Sequence, residues 1–372
     1  MRGLPWPLPS AVAGSARRAI VVGRPEGNFD ENTIQQLLQI DVVGLFPVVE
    51  GKTLYLPAPK NCIWEFDNLK NVDRLHRALP QQLNDGEGCD LPNGLRPVML
   101  DGHDGDDFKP KTTPTWWPVA ALAKWLTGVE IRSGKELFQN GLFLNGAVRS
   151  ERDRIAIDPE RGSAAEGQLF SVTDLTVSHL PIFQNSSGYA DGASGATLNG
   201  KLQPVTLTCR MRSHDWTDRV AVLHPLGGNR RLAHWETQPE YASLWSCPET
   251  VRTRLTNSRR VCLMLATPGL FQHGSMPGWL NNMEGCPPGA SGLTLKLVGI
   301  LNDRWKALSR FSWDWRNPGP LPLRRMVPAG AMYFFEVTSG DPAVLSECWL
   351  ESVADEEQDR RDGFGLAVWG IW

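Results

Sequence analysis

A chain of 372 residues with 41% apolar residues is long enough for two or three domains, or for one repeated module with large insertions, and rich enough in apolar residues to build real cores. Its net charge of −3 argues against a free protein that holds nucleic acid by bulk electrostatics alone. No run approaches the roughly 18 consecutive apolar residues of a membrane span, and Met1 precedes Pro-rich sequence rather than a basic and then apolar leader, so a soluble cytoplasmic protein with no membrane partner is expected.

In chain order, residues 4–10, Leu-Pro-Trp-Pro-Leu-Pro-Ser, are expected to stay out of helix, because the prolines fix φ and restrict the residues before them. Ser10 then caps an amphipathic helix over 11–22, with Val12, Ala16, Ala19 and Ile20 apolar and Arg17 and Arg18 on or beside the polar face. A second helix is expected over 31–40. Residues 42–49 and 53–56 flank a Glu-Gly-Lys turn and read as a β-hairpin closed by Pro57 and Pro59. Residues 80–115, rich in Gly, Pro, Asp and Asn, read as a long surface insertion.

Helices are expected over 119–126 and 133–138, and strands over 169–177 and 205–211 around a Gly/Ser/Ala-rich loop at 185–200. Further strands fall at 220–224, 261–266, 293–301, 331–337 and 366–371, with short helices at 249–255 and 342–348. Strands separated by short helices predict an α+β fold, for which the ferredoxin-like βαββαβ module is the common small solution.

Charge is unevenly divided. Residues 201–325 carry 17 Lys and Arg against 8 Asp and Glu, and the rest of the chain carries 21 against 33. A basic face and an acidic face suit a subunit wedged between RNA and other proteins; dispersed, solvated charge is the plainer alternative. Fifteen Trp serve core packing in the first instance, with interface anchoring or base stacking for a few.

Three Gly-containing elements carry cations. In His224-Pro-Leu-Gly-Gly-Asn-Arg-Arg231, Gly227 and Gly228 serve either a tight hairpin or a close backbone approach to phosphates that Arg230 and Arg231 neutralise. In Arg361-Asp-Gly-Phe-Gly-Leu366, Gly363 and Gly365 admit the same two readings. The stretch from Arg149 to Phe170 alternates in sign and reads as a solvated hairpin turning at 158–162, from which Arg149, Arg152 and Arg154 could reach RNA or a neighbouring subunit. Purely basic patches follow at Arg252, Arg254, Arg259 and Arg260 and at Arg324 and Arg325.

Catalytic constellations are thin. His214 beside Asp215, His224 and His234 are the candidate acids and bases for metal-free RNA cleavage. GxSxG, HExxH and Walker A motifs are absent from the sequence, so no enzyme is expected. Seven scattered cysteines without a CxxC read as reduced, mostly buried thiols; a zinc site built from Cys247, Cys286 and a His is the alternative, and no metal or cofactor is expected.

The motifs at 4–17, 56–59 (Leu-Pro-Ala-Pro), 154–158 with 162–170, 226–230 (Leu-Gly-Gly-Asn-Arg), 325–330 (Arg-Met-Val-Pro-Ala-Gly) and 363–366 occur in the order seen in the type III-B CRISPR Cmr subunit three family of repeat-associated RAMP proteins, which the chain resembles over nearly its whole length. The resemblance implies two ferredoxin-like (RRM-like) modules with long insertions, here divided at 1–200 and 201–372. It also implies a non-catalytic effector subunit that cradles the repeat-derived 5′ handle of the guide crRNA. Such a subunit joins the large polymerase-like subunit to the backbone RAMP subunits in antiviral defence and meets target RNA indirectly. Glycine-rich loops approach RNA in that family, which points to Gly227, Gly228, Gly363 and Gly365 with Arg230, and Arg17 matches the Arg of the first helix. A RAMP endoribonuclease that processes repeat RNA, with His224 or His214 as base, is the competing reading. Family members open with a strand and an Arg-Asp-Gly-like turn before the Leu-Pro-Trp-Pro segment, whereas this sequence starts at Met1-Arg-Gly. The expectation is an exposed sheet edge that another chain or an insertion covers, or an upstream in-frame segment that encodes the strand.

Overall fold

A computed structural model describes residues 6–22, 30–66, 72–83, 86–92, 94–100, 113–131, 133–183, 201–213, 219–226, 231–309, 311–312 and 319–372. Its first helix, α1 (Pro9–Val22), begins two residues earlier than expected. Pro9 occupies the first turn, where a missing N–H leaves nothing unpaired, and the Leu8 carbonyl accepts from the Ala11 and Val12 amides at 3.0 and 3.1 Å. Helix α2 (Glu31–Leu38) is capped by Asp30, whose carboxylate accepts from the Thr33 amide at 2.7 Å.

Strands β1 (Asp41–Val49) and β2 (Thr53–Pro57) form the expected hairpin. Strands β3 (Cys62–Phe66), β4 (Val72–Pro80) and β5 (Val98–Leu100) make an antiparallel sheet that the sequence reading did not anticipate. Then come β6 (Trp116–Pro118), α3 (Val119–Leu126), α4 (Gly134–Phe138) and a long two-stranded ribbon of β7 (Val148–Ile157) and β8 (Ala164–Thr176). Strands β9 (His179–Pro181) and β10 (Leu202–Pro204) pair with each other, and most of the loop expected at 185–200 lies outside the described residues. Strand β11 (Thr206–Arg212) returns to β1, giving an antiparallel sheet of order β11-β1-β2-β6. Among the described residues, both sides of the β1–β2 hairpin are therefore paired within the chain. The ribbon of β12 (Ala221–Leu226) and β13 (Arg231–Glu236) packs on α1. Strands β11, β12 and β13, C-terminal to the expected division at 200, thus sit with the N-terminal sheet and α1.

The second half contains α5 (Glu249–Leu255), β14 (Arg260–Leu265), β15 (Leu280–Asn281), β16 (Glu284–Gly285), β17 (Thr294–Leu301), β18 (Lys306–Leu308), β19 (Phe311–Ser312), β20 (Gly319–Pro320), β21 (Arg324–Met326), β22 (Met332–Ser339), β23 (Glu351–Ser352), α6 (Glu357–Arg361) and β24 (Leu366–Ile371). Seven of these strands form one antiparallel sheet of order β15-β16-β17-β22-β14-β24-β23, and β18–β21 and β19–β20 are separate ribbons. The architecture is α+β, with antiparallel sheets dominant. No described helix is long and apolar enough to cross a membrane.

One core runs through both halves. Leu56, Trp117 and Trp125 from the first pack in the same cluster as Leu263, Phe335 and Val368 from the second. Trp125, from α3, is almost fully buried in this shared core. Its ring carries the Arg77 guanidinium at 3.8 Å, and its indole N–H donates to Asn61 Oδ1 at 3.0 Å. The stretch 80–115 is more than a surface insertion: β5 lies in it, the Arg96 amide donates to the Val298 carbonyl at 2.7 Å, and the Arg96 guanidinium meets Glu336 at 2.8 Å. Its polar composition hides the few residues that lay it across β17.

Candidate nucleic-acid interface

Arg17 sits on the buried side of α1, only 5% exposed. Its Nε and Nη2 donate to the Ile40 carbonyl at 3.1 and 2.7 Å, Nη2 also to the Arg361 carbonyl, and Nη1 to Asp362 Oδ1 at 2.5 Å. The guanidinium joins α1 to the start of β1 and to the loop after α6, which corrects the expectation of a polar-face position. Burying a cation is tolerable here because a carboxylate and two carbonyls replace its water. Arg18, the next residue, is exposed.

The loop that receives Arg17 contains Gly363 and Gly365, both buried, with Phe364 fully buried between them. Gly363 takes φ +82°, and a Cβ there would stand 2.6 Å from the Val42 carbonyl oxygen of β1. The Gly363 carbonyl accepts from the Thr267 hydroxyl at 2.7 Å, and that hydroxyl accepts from the Leu366 amide at 2.9 Å. In this loop the close approach that glycine permits is to the protein's own backbone, where two sheets meet.

The ribbon β7–β8 presents Arg149, Arg152 and Arg154 to solvent. Asp158 builds the expected turn, accepting from the Glu160 and Arg161 amides at 2.9 and 3.2 Å. Cross-strand register places Arg152 opposite Val172 and Arg154 opposite Phe170, while Arg149 falls on the other face with Leu175. Only two of the three cations therefore share a face. Ile155 and Phe170 are about half exposed near the turn, and Leu169 is more so.

On β12–β13 the alternation puts Val222, His224 and Trp235 toward α1 and Leu223, Leu232 and His234 outward. The two histidines thus occupy opposite faces and do not form an acid–base pair. Gly227, Gly228, Arg230 and His214 lie outside the described residues; of Arg231 only the backbone is described, opposite Leu226.

In the basic second half, Arg252, Arg254, Arg259 and Arg260 are exposed; Arg252 bridges to Glu249 and Glu347, and Arg260 stacks on Trp372 at 4.8 Å. Arg324 and Arg325, adjacent in sequence, diverge. Arg324 is tied to the fully buried Asp359 at 2.6 Å, whereas Arg325 lies over the exposed Trp305 ring at 5.0 Å. The sequence reading did not single out Trp305, although its setting in Arg304-Trp-Lys306 carried the signal, an indole between two cations.

A polar cleft of about 650 Å³ lies where β11 approaches β23. Arg212 meets both carboxylate oxygens of Glu351, and Arg210 donates to one of them at 3.0 Å and to the Leu350 carbonyl at 3.0 Å. Arg210 and Arg212 share Glu351, and the cleft lining sets Arg212, Arg360 and Arg361 against Asp41, Glu351 and Glu357, so it offers an anion little net charge. Among the described residues, no three His, Cys, Asp or Glu side chains stand close enough to hold a metal ion. All seven cysteines are free, and Cys62, Cys247, Cys262 and Cys348 are buried.

Comparison with known proteins gives three results. A search of curated proteins finds no match to the chain. Its shape is similar to a chain of the cryo-EM structure of the type III-B Cmr-beta complex bound to cognate target RNA, with 12% identity, a TM-score of 0.45, and coverage of 99% of this chain and 86% of the other. A chain of the same kind of complex with cognate target RNA and AMPPnP, in state 1, gives 13% identity, a TM-score of 0.40, and coverage of 88% and 77%. Residues 2–372 match the profile of a single family, and the chain belongs to that family, CRISPR-associated protein (Cas_Cmr3).

Proposed function

We propose that this chain is a non-catalytic subunit of a cytoplasmic type III-B RNA-guided effector complex. It holds the repeat-derived 5′ handle of the crRNA and joins the large polymerase-like subunit to the backbone subunits. The observation that carries this reading is the family match over residues 2–372, because it assigns the chain as a whole and not one module of it. The exposed cations of β7–β8, with Arg18 and exposed cations of the second half such as Arg254 and Arg259, support RNA contact, because phosphates require cations at a surface. The antiparallel order β17-β22-β14-β24 is the order of a ferredoxin-like sheet and supports a RAMP origin for the second half, with residues 266–293 replacing the first crossover helix.

The test is reconstitution of the effector with a handle-labelled crRNA followed by cross-linking. Cross-links from handle nucleotides to this chain are expected, together with loss of assembly on charge reversal of Arg230 and Arg231. Sequence-specific cleavage of repeat RNA by the purified chain, abolished by His224→Ala, would replace this reading with that of a processing endoribonuclease.

A further inference from the structure

Trp305 is 55% exposed, an unusual position for the most apolar-rich ring in a chain that buries Trp64, Trp117, Trp125 and Trp369 completely or nearly so. It stands at the entry of the β18–β21 ribbon. Register pairs Ala307 with Arg325 and Lys306 with Met326, so Trp305 and Arg325 share one face of the ribbon and Lys306 and Met326 the other. The Arg325 guanidinium covers one side of the indole, and the exposure of the ring leaves the other side open. Arg304 and Lys306 flank it, both exposed. Asp303, the acid nearest in sequence among the described residues, is already paired with Lys60 at 2.6 Å. Among the described residues, Arg304, Lys306 and Arg325 therefore have no acid paired with them, and they stand around an open aromatic face.

On the opposite face, Lys306 and Met326 line an apolar cavity of about 470 Å³. The cavity is walled by Trp6, Pro57 and Trp116. Trp6 is fixed there by donating its indole N–H to the Leu45 carbonyl at 2.9 Å and by contact with the Trp116 ring at 4.6 Å between centroids. Residues 304–306 thus run as a cationic edge between an aromatic platform and a preformed apolar recess.

We propose that this edge is a subsite for single-stranded RNA, in which one unpaired base stacks on the open face of Trp305 and the adjoining phosphates lie against Arg304 and Lys306. Stacking on an indole tolerates any base, and Arg325 behind the ring adds to its attraction for a π-face. The recess on the other side takes a neighbouring base that the strand splays away, the usual way in which unpaired RNA is held. This subsite rests on the RNA-binding reading above and specifies where on the chain it is carried out. An acidic protein surface is a different occupant; the platform favours RNA because the charges ring a flat open aromatic face with a base-sized recess beside it.

The test uses the full chain with a short fluorescently labelled single-stranded RNA, titrated at several salt concentrations. Trp305→Ala is expected to weaken binding about 10-fold with an unchanged salt slope, and Trp305→Phe to keep affinity within about 3-fold of the unsubstituted chain. Lys306→Gln is expected to reduce the salt slope by about one ion. Both substituted side chains are exposed, so thermal unfolding should not move. If the unsubstituted chain binds RNA and Trp305→Ala binds equally well, the subsite is wrong while the RNA-binding role stands. If neither the chain nor the reconstituted effector holds RNA through this subunit, both are wrong. If Trp305→Ala leaves RNA affinity intact but prevents entry into the effector, the platform is a protein-docking surface and the proposal falls.

Discussion

Arg17 and Asp362, near opposite ends of the sequence, meet at 2.5 Å in the seam between α1 and the loop after α6, with 6% and 12% of their side chains exposed. Removing one partner leaves a buried charge without compensation. Arg17→Ala should therefore cost about 3–5 kcal/mol of stability, read as a lowered urea midpoint. Asp362→Asn, which keeps an acceptor for the guanidinium, should cost less. An Arg17→Ala variant as stable as the parent would show that the seam relaxes around the lost side chain.

Gly363→Ala and Gly162→Ala separate strain from crowding. Both glycines have positive φ, +82° and +64°, but only Gly363 has backbone within 2.6 Å of a new Cβ; nothing stands within 4 Å at Gly162. The second substitution should cost about 1–2 kcal/mol, the left-handed backbone penalty alone. The first should cost clearly more, because β1 must move. Differential scanning calorimetry of the two variants gives the comparison directly.

Trp125→Ala should destabilise the chain by about 3–5 kcal/mol and broaden no transition, because both halves share the core that it fills. A second, separate unfolding step in this variant would mean that the halves unfold independently.

Alkaline pH should weaken the fold within a defined window. Burial pushes the Cys209 and Cys262 thiols up to about 12, from an ordinary value of 9.0. The folded state then holds these protons more tightly than the unfolded chain does. Their contribution is complete below pH 9 and is lost as pH rises toward 12. The urea midpoint should decline across that window, and less steeply in Cys262→Ala.

Thiol labelling should sort the cysteines. Cys89 and Cys286 are exposed and should react within the folded protein, whereas Cys62, Cys247, Cys262 and Cys348 should wait for unfolding. Rapid labelling of Cys262 would contradict its placement in β14 between β22 and β24.

The parts of the fold legible in sequence were those written in local chemistry. The hairpin at 41–57 announced itself by two apolar runs around Glu50-Gly51-Lys52, the helix at 119–126 by its Ala and Leu content, and the turn at 158–162 by Asp158-Pro-Glu-Arg-Gly. The pairing of β11 with β1 was not legible, because nothing local to residues 206–212 names a partner on the far side of the insertion. Arg17 and Gly363 misled for a related reason. A cation and a glycine have the same spelling whether they face a phosphate or a carbonyl of their own chain, and only burial distinguishes the two. Trp305 was overlooked among fifteen tryptophans because composition counts rings and does not say which remain in water.

The place of β24 in the second sheet has a consequence for synthesis. This strand sits between β14 and β23, and the Asp362 that neutralises Arg17 lies just ahead of it. While a ribosome still holds those residues, β14 has an unoccupied edge and α1 cannot seat its guanidinium against a carboxylate. The nascent chain therefore stays open, and in need of protection from aggregation, until residues 362–371 have left the ribosome. A nonsense or frameshift lesion at codons 362–371 should then be as damaging as one far upstream, because it removes both the partner of Arg17 and the strand beside β14.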